Sequence, residues 1–121
     1  KPGVNIKYPW KLIVGNNCWI GENVWIDNLD IVTLADNVCI SQGVFLLCGN
    51  HNFKSSSFDL MLGPITIESG VWLGAKSIVC PGVTVASHAI LSVASLANKD
   101  LEPYTIYKGN PAVKFKDRII E

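Results

Sequence analysis

The side chains best suited to chemistry in this chain are two histidines, four cysteines and a late group of lysines. His51 sits in a polar stretch, Asn50-His51-Asn52. An imidazole changes charge between about pH 5 and 8, which suits a general base at neutral pH. His88 reads as an outward-facing surface residue without polar company. Cys18, Cys39, Cys48 and Cys80 form no CxxC pair, and their spacing matches no zinc or disulfide framework. They read as unpaired thiols in a reducing compartment, so a cytoplasmic location is expected. Five of the ten basic residues come late: Lys99, Lys108, Lys114, Lys116 and Arg118. Without further context such a cluster is a solvated basic tail.

Composition removes several classes of function. Nearly half of the 121 residues are apolar, which excludes a disordered chain. The formal net charge is zero, so no global field steers the protein toward nucleic acid. No apolar run approaches the ~20 residues that a membrane-spanning helix needs. The length suits one domain, 1–121, and because the chain opens on Lys1 instead of Met, further N-terminal residues are expected.

These groups are positioned by a repeat. Aliphatic residues recur every six positions at Val14, Ile20 and Ile26, then at Leu34, Ile40 and Leu46 after a two-residue insertion. After a long interruption Ile67, Leu73, Val79, Val85 and Leu91 restore the spacing. The second position of each hexad is small or acidic (Gly15, Gly21, Asp27, Gly74, Ser92), and the fifth is small or β-branched (Val24, Val38, Val44, Val71, Ser77). A period of six fits neither a helix nor simple strand alternation. It fits an all-β, single-stranded parallel β-helix: a prism with one hexad per face and three per coil, stacked at ~4.8 Å. First-position aliphatics fill the interior, and the glycines at second positions are expected to ease the corners.

Grouped in threes, the coils start at Val14, Leu34, Ile67 and Val85. Sixth positions then point outward in two apolar columns, Trp19-Cys39-Trp72-Ile90 and Trp25-Phe45-Ile78-Leu96. That much apolar surface is too much for a monomer to leave wet, and a three-sided prism suits a closed threefold ring, a homotrimer. This grouping assumes that the loop at 50–64 returns the chain in phase. The loop is a site-building excursion from a rigid coil, and His51 stands at its mouth, in the outward sixth position of the Leu46 hexad. In the tail, 97–121, Asn110 and Pro111 are expected to cap and open a short C-terminal helix running to Ile120.

Several segments carry a resemblance: Ile6–Leu12 (IKYPWKL), Trp19–Leu29 (WIGENVWIDNL), Asp36–Gly43 (DNVCISQG), Gly49–Asn52 (GNHN), Phe58–Leu60 (FDL) and Gly109–Ala112 (GNPA). They resemble the colanic-acid-biosynthesis-type acetyltransferases, part of the hexapeptide-repeat group that includes galactoside, maltose and nodulation-factor acetyltransferases. The resemblance covers essentially the whole chain. It implies a left-handed coil, a homotrimer with active sites at subunit interfaces, acetyl-CoA as donor and a sugar or glycan hydroxyl as acceptor. It makes His51 the base of a direct transfer that needs no acyl-enzyme, so the cysteines are dispensable. Asp27 falls where relatives place an acceptor-binding Asn, one coil from the His51 hexad. It binds the acceptor, orients the imidazole, or merely fills an acidic second position, with Asn28 as its alternate. Trp72 matches an active-site tryptophan, though its apolar column also explains it. Gly74 and Ala75 match positions lining the pantetheine arm, and Lys99 and Lys116 match positions that reach the CoA phosphates. Ser92 and Val93 fall at the CoA rim. There the galactoside enzymes read Gly-Ala-Gly-Ser and this chain reads Ser92-Val93-Ala94-Ser95, which adds bulk.

Two other classes compete. The γ-class carbonic anhydrases share such a prism, but His51 and His88 do not supply their three-histidine zinc set, so no metal is expected. A non-catalytic β-helix scaffold lacks any use for the His51 loop and the basic tail. Within acetyl transfer, a xenobiotic or serine acceptor stays open.

Overall fold

A computed structural model describes residues 1–121. The hexads stack into a left-handed parallel β-helix of about five turns. Its strands are only two or three residues long, and they form three parallel sheets, one per face. The first face holds Asn5–Ile6, Trp25–Asp27, Phe45–Leu47, Ile78–Val79 and Leu96–Ala97. The second holds Leu12–Val14, Val32–Leu34, Ile65–Ile67 and Thr84–Val85. The third holds Trp19–Ile20, Cys39–Ile40, Trp72–Leu73, Ile90–Leu91 and the strand Thr105–Gly109.

The expected coil starts are in register: Val14 opposite Leu34, Leu34 opposite Ile67, and Ile67 opposite Val85. The long loop therefore returns the chain in phase. First-position aliphatics from Ile26 to Leu91 are buried, as are the fifth-position residues from Val24 to Ser95 except Asp30 and Asn50, each beside an interruption of the repeat. Val14 is 44% exposed because it lies in the lowest strand of its sheet, covered from one side only. Outward residues differ by face. The third carries Trp19, Cys39, Trp72, Ile90 and Ile106, and the first carries Trp25, Phe45, Ile78 and Leu96, with Trp25 stacked on Phe45 at 5.2 Å. The second presents Ile13, Thr33, Thr66 and Thr84, a largely hydroxylated column.

Two expectations need correction. The corners are not eased by second-position glycines. Left-handed residues sit at the fourth position instead: Asn17, Asn23, Asn37, Gly43, Gly70, Lys76, Gly82, His88 and Ala94, all with φ between 55° and 79°. Second-position Gly21 and Gly74 serve close stacking: a Cβ there would lie 2.6 Å from Gln42 N and 2.7 Å from Val93 N. The tail holds no helix. Thr105–Gly109 turns at Asn110-Pro111 into the antiparallel strand Ala112–Asp117. Val113-Lys114-Phe115-Lys116 alternates with period two, and Pro111 occupies a two-residue hairpin turn instead of a first helical turn. Arg118 ties the end back, its Nη1 donating to the carbonyls of Gly70 and His88. The only helical element is a 3₁₀ turn at Pro9–Lys11, and no helix is long and apolar enough to cross a membrane.

Candidate active site

His51 lies at the end of the strand Gly49–His51, which pairs antiparallel with Leu60–Leu62 where the chain leaves the edge between the first and second faces. The excursion is closed at its base by Gly63 N donating to Cys48 O, and at its tip by Asn52 N donating to Asp59 O. The exposed ring stacks on Phe58 with centroids 4.3 Å apart, and its Nδ1 lies 3.0 Å from the Phe58 carbonyl oxygen. A carbonyl only accepts, so the neutral ring donates from Nδ1 and keeps its lone pair on Nε2. Phe58 holds φ +52°, a conformation a bulky residue adopts only when its surroundings impose it. The arrangement leaves the Nε2 lone pair of an oriented imidazole open at the end of a two-stranded hairpin. Sequence reasoning misses Phe58 as a partner because a backbone carbonyl leaves no mark on side-chain spacing.

Asp27 and Asn28 sit at the corner beneath this hairpin. Asp27 pairs in register with Leu47, and its backbone carbonyl accepts from Cys48 N. Its carboxylate has no hydrogen-bond or ion-pair partner in the chain, and the His51 ring is oriented by Phe58 instead. Asn28 is fully buried, with Oδ1 accepting from Tyr8 N at 2.8 Å and Nδ2 donating to Tyr8 O at 2.7 Å. Both ends of that amide hold the Tyr8 turn in place.

The residues expected at the donor site gather on a different edge, between the third and first faces. Trp72, Gly74, Ser92 and Val93 line a groove of about 600 Å³, joined by Ile106, Lys108 and Asn110 from the tail. Trp72 Nε1 donates to Ser41 Oγ at 2.9 Å, which fixes the indole as one wall. Val93 is 68% exposed, so the bulk of the Ser-Val-Ala-Ser run faces the groove. Ser95 is buried and accepts from Gly109 N, docking the tail on the corner. Ala75 lies outside the groove lining, its carbonyl accepting from Ala94 N. Lys99 and Lys116 also lie outside it. Lys99 borders a separate charged hollow with Asp100, Glu102 and Lys114. The lysine at the groove is Lys108, 4.0 Å above the Phe115 ring. The sequence marks it only as one of a basic cluster, because the hairpin that aims it reads there as a helix.

His88 has polar company after all. Its Nδ1 is 2.6 Å from Ser87 Oγ, its ring stacks on Tyr104, and Arg118 grips its carbonyl. It belongs to the edge between the second and third faces, away from the His51 hairpin. The four cysteines are free thiols, and burial pushes Cys48 and Cys80 up from the ordinary thiol range. No group of three or more His, Cys, Asp or Glu side chains converges.

A coil of three hexads, a histidine raised on a loop hairpin and a tryptophan-walled corner groove define a class, and the chain belongs to the hexapeptide-repeat acetyltransferase family. It is 34% identical over 119 residues to the putative colanic acid biosynthesis acetyltransferase WcaF of Escherichia coli, covering 98% of this chain and 65% of that protein. It is 30% identical over 114 residues to the galactoside O-acetyltransferase of the same organism, covering 92% of this chain and 56% of the relative. The chain thus spans under two thirds of the length of these curated relatives. It matches no protein-family model. Among solved structures, a galactoside acetyltransferase in complex with coenzyme A superposes with a TM-score of 0.88 at 26% identity, over 94% of this chain and 58% of that one. A maltose O-acetyltransferase from Clostridium difficile reaches 0.91 at 22% identity, over 97% and 64%, which speaks for the fold alone.

Proposed function

We propose that the protein moves an acetyl group from acetyl-CoA to a hydroxyl of a sugar or glycan-precursor acceptor, with His51 as general base. The observation that carries this is the Nδ1–Phe58 contact, which leaves Nε2 free to take a proton. As the acceptor oxygen attacks the thioester carbonyl carbon, its proton passes to Nε2. The C–S bond then breaks, and the CoA thiolate leaves with the proton that the imidazolium returns. Asp27, unpartnered on the same edge, binds the acceptor, and Asn28 positions the turn beside it. The groove of Trp72, Gly74, Ser92, Val93 and Lys108 takes the pantetheine arm, beside Ala75, while Lys99 and Lys116 serve the phosphates from outside it.

Within one chain the His51 hairpin and this groove lie on different edges of the prism, which supports a site completed by a neighbouring copy. The two apolar faces, against one hydroxylated face, support a trimer in which each copy shows one apolar face to each neighbour. Four free thiols fit a reducing, cytoplasmic location. A second acceptor class, a xenobiotic hydroxyl, is favoured by 39% identity over 118 residues to a chloramphenicol acetyltransferase of Escherichia coli, and sugars assayed beside chloramphenicol separate the two. The base assignment is tested by His51→Ala on the assembled protein. kcat should fall at least ~100-fold, with acetyl-CoA affinity by calorimetry within a few-fold of the parent. Near-parental kcat with a turned-over acceptor would refute it.

A further inference from the structure

The motif Tyr8-Pro9-Trp10-Lys11 has no role in the proposed transfer, yet the fold invests in it. Both ends of the buried Asn28 amide hold Tyr8, and Lys11 Nζ donates to Leu29 O at 3.0 Å. What these anchors display is aromatic. Trp10 is 75% exposed, with its ring 5.1 Å from that of Tyr8. The turn is thus held from a buried amide and presents its indole to water.

Its place in the prism says what it faces. Tyr8 stacks over Asn28, and Lys7 N donates to Ile26 O, so the turn continues the column that carries Asp27 and then Leu47-Cys48. The hairpin of His51 leaves that column at its third coil, just after Cys48. The face of the hairpin that carries His51 is fixed by Gly49, two residues earlier. A Cβ at Gly49 would meet the side chains of Leu29 and Leu60, and Leu60 is the cross-strand partner of His51. His51 therefore shares the hairpin face turned toward the Asp27–Leu29 corner, and the aromatic turn lies beyond that corner. From the Cys48 coil to the Tyr8 coil is two coil spacings, roughly 10 Å.

We infer that the Tyr8–Trp10 turn is a remote acceptor subsite, which stacks the apolar C–H face of a pyranose one unit away from the sugar that His51 serves. The acceptor is then an oligosaccharide chain or a similarly extended glycoside, because one ring does not reach across two coils. This rests on the sugar-acceptor reading above and adds a length requirement to it. Aromatic faces carry negative charge density that attracts polarised C–H groups, and Asp27, between turn and base, is free to accept from ring hydroxyls.

The test reads the Trp10 indole N–H by NMR in the assembled protein without any acetyl donor, titrating galactose, lactose, glucose and maltotriose at millimolar concentrations. The disaccharide or trisaccharide should shift the Trp10 signal more strongly than its monosaccharide. Trp10→Ala should weaken oligosaccharide binding about fivefold, and Trp10→Phe should restore most of it. A Trp10 signal unmoved by all four sugars, or moved equally by short and long ones, overturns the inference, as does a Trp10→Ala protein that keeps its oligosaccharide preference. Because no donor is present, a silent turn in a protein that still transfers acetyl groups defeats the subsite alone. A responsive turn in a protein that transfers none defeats the transfer reading alone.

Discussion

Two glycines separate the forces that shape the corners of this prism. At Gly74, φ is unremarkable, but a Cβ would stand 2.7 Å from Val93 N, 2.8 Å from Leu91 O and 2.9 Å from Ser92 C. All three are backbone atoms of the coil above, held by Gly74 N donating to Leu91 O and Ser92 N donating to Tyr107 O. Nothing flexible can yield, so Gly74→Ala must push the stacked coils away from each other. Overpacking of this kind costs about 1–3 kcal/mol, and with backbone as the obstacle the upper half of that range applies. Gly82 is the reverse case. No atom lies within 4 Å of its added Cβ, but φ is +79°. There alanine costs roughly 1–2 kcal/mol for the left-handed conformation, less about 0.4–1 kcal/mol recovered from a stiffer unfolded chain, so about 1 kcal/mol net. Thermal melts at one fixed protein concentration should show Gly74→Ala lowering Tm by ~8–12 °C and Gly82→Ala by ~3–5 °C. Gly74→Ala should also raise the KM for acetyl-CoA, since the same corner lines the groove, whereas Gly82→Ala should leave it alone. A Gly82→Ala protein less stable than Gly74→Ala would refute the distinction between close stacking and backbone conformation.

Burial raises the Cys48 thiol from an ordinary 9.0 to about 11, so the unfolded chain ionises first. Its contribution is intact below pH 9 and is lost as pH rises toward 11, at up to ~1.4 kcal/mol per pH unit. Urea midpoints of Cys48→Ala should lack this alkaline slope, and an unchanged slope would show that the thiol does not carry it. Lys108→Ala should weaken acetyl-CoA by about tenfold or more, through one charge-assisted contact worth roughly 1.5–3 kcal/mol, and Lys99→Ala and Lys116→Ala should each do the same if they meet the phosphates. Calorimetry with CoA and dephospho-CoA shows which lysine, if any, reads the phosphate that distinguishes the two. Phe45→Lys places a charge in the Trp25–Phe45 stack and should dissociate the proposed trimer; sedimentation equilibrium decides it, and a parent that is already monomeric defeats the interface argument.

The coil is legible in the sequence because its determinants are periodic and local. Each of Ile26, Leu46 and Val79 is buried by the residues one coil away, so a six-residue recurrence carries the register directly. The fourth-position Asn and Gly residues are equally periodic, but the second-position glycines look like the corner residues and do a different job. The tail misleads because Asn-Pro serves a helix start and a hairpin turn alike. The alternation Val113-Lys114-Phe115-Lys116, only four residues long, is the better guide. At the site, His51 stands out from its place beside a break in the repeat. Phe58, Lys108 and the Asn28–Tyr8 clamp do not, because they depend on a backbone carbonyl, on a hairpin where a helix is expected, and on contact across twenty residues.

That the His51 hairpin leaves the stack at a break in the period follows from the coil itself. Where hexads run unbroken, each corner is closed by the next, as closely as Gly74 lies beneath Val93, and the outward side chains stack in columns such as Cys39-Trp72-Ile90. On the proposed reading, a base that must reach another molecule gains from leaving the stack. The chain does so at Gly49 and returns at Gly63, whose N–H bonds the carbonyl of Cys48, so the excursion is inserted without disturbing the register of Leu46 and Val79 on either side. The Tyr8 turn is a second departure on the same edge, fastened by Asn28 where the helical stack would otherwise have placed a plain corner. The regular coils supply spacing and the wall of the Trp72 groove, and the irregular segments, each pinned to them by a few hydrogen bonds, carry His51 and the Tyr8–Trp10 pair.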